Sequence, residues 1–351
     1  MSIETAARAA APKPGRAPGL ATVMLGLVLL AGLSIASLSL GVRSISVQTM
    51  VDTLLAFDDR LVDHVVVMDY RLPRTLLALL CGSAFGVSGA LIQAATRNPL
   101  ADPGILGVNA GAAFFVTLAV GLFGFQSINA YLGFALLGAV LVTLAVYGLS
   151  MMGSGLAGRG GATPVRLVLA GVALSALFGG IGSSITLLNP QAFDAMRQWS
   201  IGAVAGRDMA VVAAVAPFIG IGLLIALLSA RSLNAVALGE DLAAAFGASL
   251  VRTRILTLIA VTLLSGAATA ACGPIGFIGL MVPHAVRWLT GPDQRRIIPM
   301  TMIYAPVLLL AADIAGRLVL YPGELEAGIV TAFLGSPVLI ALARRRQAGG
   351  L

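Results

Sequence analysis

The chain is built almost throughout from apolar runs of about 20 residues, the length that carries an α-helix across a hydrocarbon core of about 30 Å. Such runs occupy 20–41, 72–95, 105–122, 131–151, 166–188, 210–230, 254–272, 298–318 and 327–343, with a shorter one near 275–289. In lipid a backbone must satisfy its own hydrogen bonds, and a helix does so within one segment. The runs therefore predict an all-α fold, a polytopic membrane bundle of about ten transmembrane helices. Only 11% of the 351 residues are charged, against about a quarter in soluble domains. The 42 glycines suit helices that approach closely in lipid.

Charge placement orients the bundle. With the N-terminus inside, fifteen of the 22 Lys and Arg residues fall on one side. The other side holds only Arg43, Arg60, Arg71, Arg74, Arg197, Arg207 and Arg317. By the positive-inside rule both termini are expected in the cytoplasm. The net charge of +7 is scattered singly, without the clustered face that nucleic acid needs. Cys81 and Cys272 lie in apolar runs, and His64 and His284 lack ligand spacing, so no disulfide framework, redox role or metal site is expected. Residues 1–19 read as a cytoplasmic tail, 20–343 as one transmembrane domain and 344–351 as a second tail. The run from Leu20 to Leu40 is longer than the apolar core of a signal peptide, about 7 to 15 residues.

Several stretches break the pattern. Arg71-Leu72-Pro73-Arg74 opens one apolar helix, and Arg97-Asn98-Pro99 to Asp102-Pro103-Gly104 folds the chain at its far end. Val47, Met50, Val51, Leu54 and Leu55 recur at helical spacing between the first two spans, which predicts an amphipathic surface helix. Asn189-Pro190 and Gly202 bracket a short helix containing Arg197 and Trp199. The longest inner loop, about 231–254, contains a helix-forming segment between Gly239 and Gly247. The run from Gly273 to His284 is broken by Gly and Pro, which membrane depth tolerates only where protein or water satisfies the backbone. Ser88-Gly89-Ala90 and Ser265-Gly266-Ala267 hint at an internal repeat of the kind found in transporters.

Asp313 is a carboxylate well inside an apolar span, where a charge costs about 2.5–3.5 kcal/mol on insertion scales. Arg317 follows one helical turn later, so the reading is a structural i,i+4 ion pair in preference to a proton relay.

Seven motifs in order resemble the FecCD family of ABC-importer permeases. They are RLPRT at Arg71, TRNPLADPGILGVNAGA at Thr96, TPVRLVLAGVAL at Thr163, ALGEDLAAAFG at Ala237, GPIGFIGLMVPHAVRWLTG at Gly273, AADIAGR at Ala311 and AGIVTAFLGSPVLIAL at Ala327. The resemblance implies the type II importer permease fold and a machine of several chains: a second permease, identical or paralogous, two cytoplasmic ATPases, and a periplasmic or lipid-anchored substrate-binding protein. No G-x-x-x-x-G-K-[ST] loop occurs, so ATP and Mg would bind the partner ATPase and this chain would hold no cofactor and act as no enzyme.

The resemblance also assigns residues. Arg71, Arg74 and Arg317 match the arginines that dock the binding protein, a role suited to guanidinium forks that grip carboxylates. Gly239, Glu240, Asp241, Ala245 and Gly247 match the helix that couples to the ATPase. A ferric siderophore is bulky, so its pathway should be small and weakly polar. Gly171, Ser175, Gly179, Gly180, Gly182, Ser183 and Ser184 on the fifth span fit that description, as do Thr331, Gly335 and Ser336 on the tenth. The Asn189-Pro190, Arg197-x-Trp199 and Pro322-Gly323-Glu324-Leu325 stretches look most like a catecholate-siderophore member, and add Arg197 and Trp199 as gate candidates. Glu326 stands where the family often has proline, which makes the outer rim more acidic. The expected function is ferric-siderophore import across the bacterial inner membrane. Haem or vitamin B12 import is the alternative within the family, and an ion-coupled secondary transporter the alternative outside it.

Overall fold

A computed structural model describes residues 19–41, 43–125, 127–152, 164–237, 239 and 249–348. No β-strand occurs among them. Helix α1 (Leu20–Ser39) lies at the edge, with 11% of its most apolar window buried. The expected surface helix is α2 (Val47–Leu55), started by Ser46, whose hydroxyl accepts from the Thr49 N–H. A short α3 (Val62–Val65) runs through a π-helical turn, Val66–Arg71, into α4 (Leu72–Thr96). Pro73 has no N–H to give a preceding turn, and the backbone widens to π geometry immediately before it.

Helix α4 is the hub. Its apolar window is 83% buried, and it packs against α9 (Met209–Ala237), α10 (Leu250–Cys272), α11 (Ile278–Thr290) and α12 (Gln294–Val319). Glycine makes this possible: a Cβ at Gly89 would stand 2.0 Å from the Gly279 carbonyl oxygen, so the two backbones touch. Beside that contact Gln93 donates to the same carbonyl at 2.9 Å. Cys81 on α4 and Cys272 on α10 are buried free thiols with sulfurs 3.3 Å apart.

The expected fold at Arg97 to Gly107 is a left-handed residue at Arg97, then a 3-10 turn over Pro103–Leu106 in which Asp102 accepts from the Gly104 N–H. It leads into α5 (Val108–Gly121), which pairs closely with α6 (Ile128–Met152). Helix α7 (Pro164–Leu188) is mostly exposed, with 11% of its window buried. Helix α8 (Pro190–Ile201) is capped by Asn189, whose side chain accepts from the Gln191 and Ala192 N–H groups. The last helix, α13, spans Ala327–Ala348.

By length and composition, seven helices among the described residues could cross a membrane, and Val108–Gly121 and Ala327–Ala341 are shorter apolar helices. The broken segment near 275–289 yields the 13-residue α11. Helix α9 continues to Ala237, past the expected end at 230, and holds 29 residues. Helices α4 and α12 are antiparallel through the bundle, so Arg74 and Arg317 share one end, the rim, and Arg97 and Asp293 the other, the base.

Candidate functional site

The rim is held by charge. Asp313, 1% exposed, accepts from Arg74 Nη2 at 2.8 Å and from Arg74 Nε at 3.1 Å on both oxygens. Its second oxygen also accepts from Arg317 Nη2. The expected Asp313–Arg317 pair is present, and Arg74, 239 residues away in sequence, completes it. Arg74 also reaches outward, with Nη1 2.8 Å from Glu324. Two guanidiniums and two carboxylates thus neutralise one another. In a low-dielectric setting that balance matters, because an unpaired buried charge costs several kcal/mol.

The arginines also close α1. A helix ends with carbonyls that lack intrahelical partners. Arg317 Nη1 donates to the carbonyls of Ser37, at 2.8 Å, and Leu40, at 3.1 Å. Arg71 Nη1 donates to those of Leu38, at 2.6 Å, and Ser39, at 2.7 Å, and its Nη2 to that of Arg43. Positive charge at a helix C-terminus is favourable as well. Arg71 and Arg317 are consequently buried, at 7% and 3% exposure, and only the Arg74–Glu324 contact faces outward.

Glu326 is half-buried next to this cluster, and burial pushes its carboxyl above the usual glutamate value against the pull of Arg74. A crevice of about 230 Å³ opens here, lined by Asp69, Tyr70, Arg74, Gly206, Arg207 and Asp208. Arg207, its second cation, donates to the Ala271 carbonyl at 2.8 Å. The role of Arg207 had no signal in the sequence beyond its place among the seven outer basic residues.

A larger cavity of about 420 Å³ lies between α5, α7 and α8. Gly179, Gly182 and Ser183 line it from α7, Arg197 from α8, and Phe114 and Thr117 from α5. Gly179 and Gly180 face open space. Arg197 is exposed and 3.3 Å from Asp194. Ser175 is half-buried and Ser184 exposed on α7.

The other expected pathway residues lie elsewhere. Gly171 packs on the Ile105 carbonyl, which a Cβ would meet at 1.9 Å. Trp199 is 2% exposed, and its indole N–H has no partner among the described residues. On α13, Thr331 is buried and donates to the Gly328 carbonyl, Gly335 abuts the Phe277 ring, and Ser336 is exposed. Of the residues expected to couple to an ATPase, Gly239 has φ +116°, which glycine accommodates readily. Glu240, Asp241, Ala245 and Gly247 lie outside the described residues.

At the base, α9 and α12 are clasped. Asn234 Nδ2 donates to Asp293 Oδ1 at 2.6 Å, and the Gln294 N–H donates back to Asn234 Oδ1 at 2.8 Å. Asp293 also caps α12 through the Arg295 N–H and pairs with the Arg295 guanidinium at 3.0 Å. No sequence spacing announced this clasp, since its partners are 59 residues apart.

The described fold is shared with solved transporters. A metal-chelate type ABC transporter, presented as an inward-facing conformation, superposes with a TM-score of 0.80 at 29% identity, covering 92% of this chain and 98% of that one. The ferric enterobactin transport system permease protein FepD of Escherichia coli is 49% identical over 288 residues, 82% of this chain and 84% of the relative. The iron(3+)-hydroxamate import system permease protein FhuB of Bacillus subtilis is 39% identical, over 93% of this chain and 84% of the relative. The hemin transport system permease protein HmuU of Yersinia pestis is 33% identical, over 93% and 96%. These relatives are transport components and not enzymes. The model of the FecCD transport family matches residues 28–345, and the chain, a multi-pass membrane protein, belongs to that family.

Proposed function

We propose that this chain is the permease subunit of an ATP-driven importer that carries a ferric siderophore, of catecholate type, across the bacterial inner membrane. The 49% identity to an enterobactin permease carries the reading. The cavity beneath Arg197 supports it: small residues on an exposed helix leave room, and a cation suits the strongly anionic complex that catecholates form around ferric iron. In this reading the chain crosses the membrane ten times, with α5, α11 and α13 as the shorter crossings and both termini cytoplasmic.

The machine would contain a second permease, identical or paralogous, paired through the exposed face of α7. Two ATPases would bind ATP and Mg and grip the segment from Gly239 to Gly247. A periplasmic or lipid-anchored binding protein would dock at the rim. Because Arg71 and Arg317 are spent on internal partners, docking through these arginines acts by exchange: a carboxylate of the binding protein replaces Glu324 on the outward edge of Arg74.

The test is radio-iron uptake by cells lacking the gene, offered a catecholate siderophore, a hydroxamate siderophore or haem, with labelled vitamin B12 alongside. Loss of catecholate uptake alone is expected. Loss confined to haem or vitamin B12 would replace the substrate, and loss of none would remove the reading.

A further inference from the structure

The nine-residue α2, which the import reading does not use, divides its surface three ways. Successive residues turn about 100° around an α-helix, and burial follows that turn. Met50 and Thr53 are buried, at 5% and 1% exposure. Val47, Val51, Leu54 and Leu55 lie together on a second side and are 47–82% exposed. Gln48 and Asp52, exposed as well, lie on a third. A single exposed leucine is ordinary, but a contiguous apolar row marks a surface that something covers.

The buried side fixes how the helix is turned. Met50 forms a small cluster with Ile45 and Val67, backed by Leu38 and Val66, and the Ser39 hydroxyl donates to its sulfur at 3.1 Å. The Thr53 hydroxyl donates to the Thr49 carbonyl at 2.7 Å. With that side seated, the apolar row can only face away from the bundle.

Depth selects what covers it. Helix α1 holds 20 residues, about 30 Å at 1.5 Å per residue, which is one hydrocarbon thickness. Leu38 and Ser39 end that helix, so their contacts with Met50 place α2 at the level where hydrocarbon meets headgroups. Nine residues, about 14 Å of helix, are too short to cross. Ile35 and Leu40, near the end of the peripheral α1, are exposed too, so the apolar surface runs on from α1 to α2. No Lys or Arg lies on α2, so its attachment rests on apolar area and not on charge.

We propose that α2 is an interfacial anchor, with Val47, Val51, Leu54 and Leu55 sunk in the leaflet at the rim, about 5–10 Å into the boundary of headgroups and acyl chains, and with Gln48 and Asp52 turned to the water. Through α3 and the π-helical turn this anchor leads to Arg71, whose guanidinium holds the last carbonyls of α1. The lipid boundary thereby fixes the height of the rim.

Full-length protein carrying one added cysteine, Val51→Cys, Leu54→Cys, Gln48→Cys or Asp52→Cys, is labelled with a thiol-specific nitroxide and reconstituted into vesicles of phosphatidylcholine, with or without phosphatidylglycerol. The parent, whose Cys81 and Cys272 are buried, corrects for background label, and one nitroxide per chain by mass shows that each variant is folded. Relaxation of the nitroxide by oxygen, which partitions into lipid, is compared with relaxation by a water-soluble nickel chelate. The oxygen-to-nickel ratio at positions 51 and 54 should exceed that at 48 and 52 about threefold or more in both kinds of vesicle, because apolar area holds the helix. Equal ratios at the four positions would show that the row has no lipid side of its own. Shielding of 51 and 54 from both reagents would mean that protein covers the row, and a contrast seen only with phosphatidylglycerol would mean that charge holds the helix. Each of these three results would overturn the proposal.

Discussion

Asp313→Asn keeps the shape of the side chain at the rim and removes its charge. In the native protein Arg74 and Arg317 face Asp313 and Glu324, two cations against two anions. The substitution leaves two guanidiniums, of which Arg317 is 3% exposed, facing one carboxylate whose side chain is 32% exposed. Breaking one partner out of a buried ion pair costs about 3–5 kcal/mol, mostly because the remaining charge is stranded. Glu324→Gln, at the exposed end, should cost at most about 1 kcal/mol. Removing the stranded charge as well, in Asp313→Asn with Arg317→Gln, should cost less than the two single changes together, with a coupling energy of about 2 kcal/mol. Stability is measured by unfolding in mixed micelles, with reactivity of the buried thiols Cys81 and Cys272 as the readout. An Asp313→Asn protein within about 1 kcal/mol of the parent, or additive single and double variants, would refute the charge-balance argument.

Two further outcomes follow from the packing and the base clasp. Gly89→Ala places a methyl 2.0 Å from the Gly279 carbonyl oxygen and should cost about 1–3 kcal/mol by overpacking, whereas Gly133→Ala, with nothing within 4 Å, should be neutral or slightly stabilising; the same unfolding measurement separates them. At Asp293 burial pushes the carboxyl up, but hydrogen bonds from Arg295 and Asn234 prevail and hold it down at about 2, from an ordinary value of 3.8. Since the folded value is depressed, the clasp's full contribution is present above pH 4 and is lost as pH falls towards 2, and after solvent screening it amounts to about 1 kcal/mol. Asp293→Asn should flatten that part of the stability profile; an unchanged slope between pH 4 and 2 would show that the carboxylate is not the group responsible.

Local features were legible in the sequence and cross-chain ones were not. The surface helix at Val47–Leu55 followed from its apolar period, the short helix from Asn189-Pro190, and the Asp313–Arg317 pair from a four-residue spacing. The attachment of Arg74 to Asp313 spans 239 residues, and nothing in a linear pattern of charges selects that partner. Composition also left glycine ambiguous between packing and pathway. Gly171 proved to touch the Ile105 backbone, while Gly179, two helical turns along the same α7, faces open space. The difference depends on which neighbour lies across each turn, which only the folded bundle fixes.

The rim network also has an order in time. Helix α1 and α4 are made early, and Arg71 can take the carbonyls of Leu38 and Ser39 as soon as both have entered the bilayer. Arg74 must wait for Asp313, 239 residues later. At about 5–20 residues per second that is roughly ten to fifty seconds of synthesis, during which the long arginine stem can keep its head among the lipid headgroups. Helix α12 arrives with Asp313 and Arg317 already on one face, so its rim end enters as a neutral pair. A chain cut short before α12 carries Arg74 without its acid and the Ser37 and Leu40 carbonyls without their donor, three polar groups that only α12 closes.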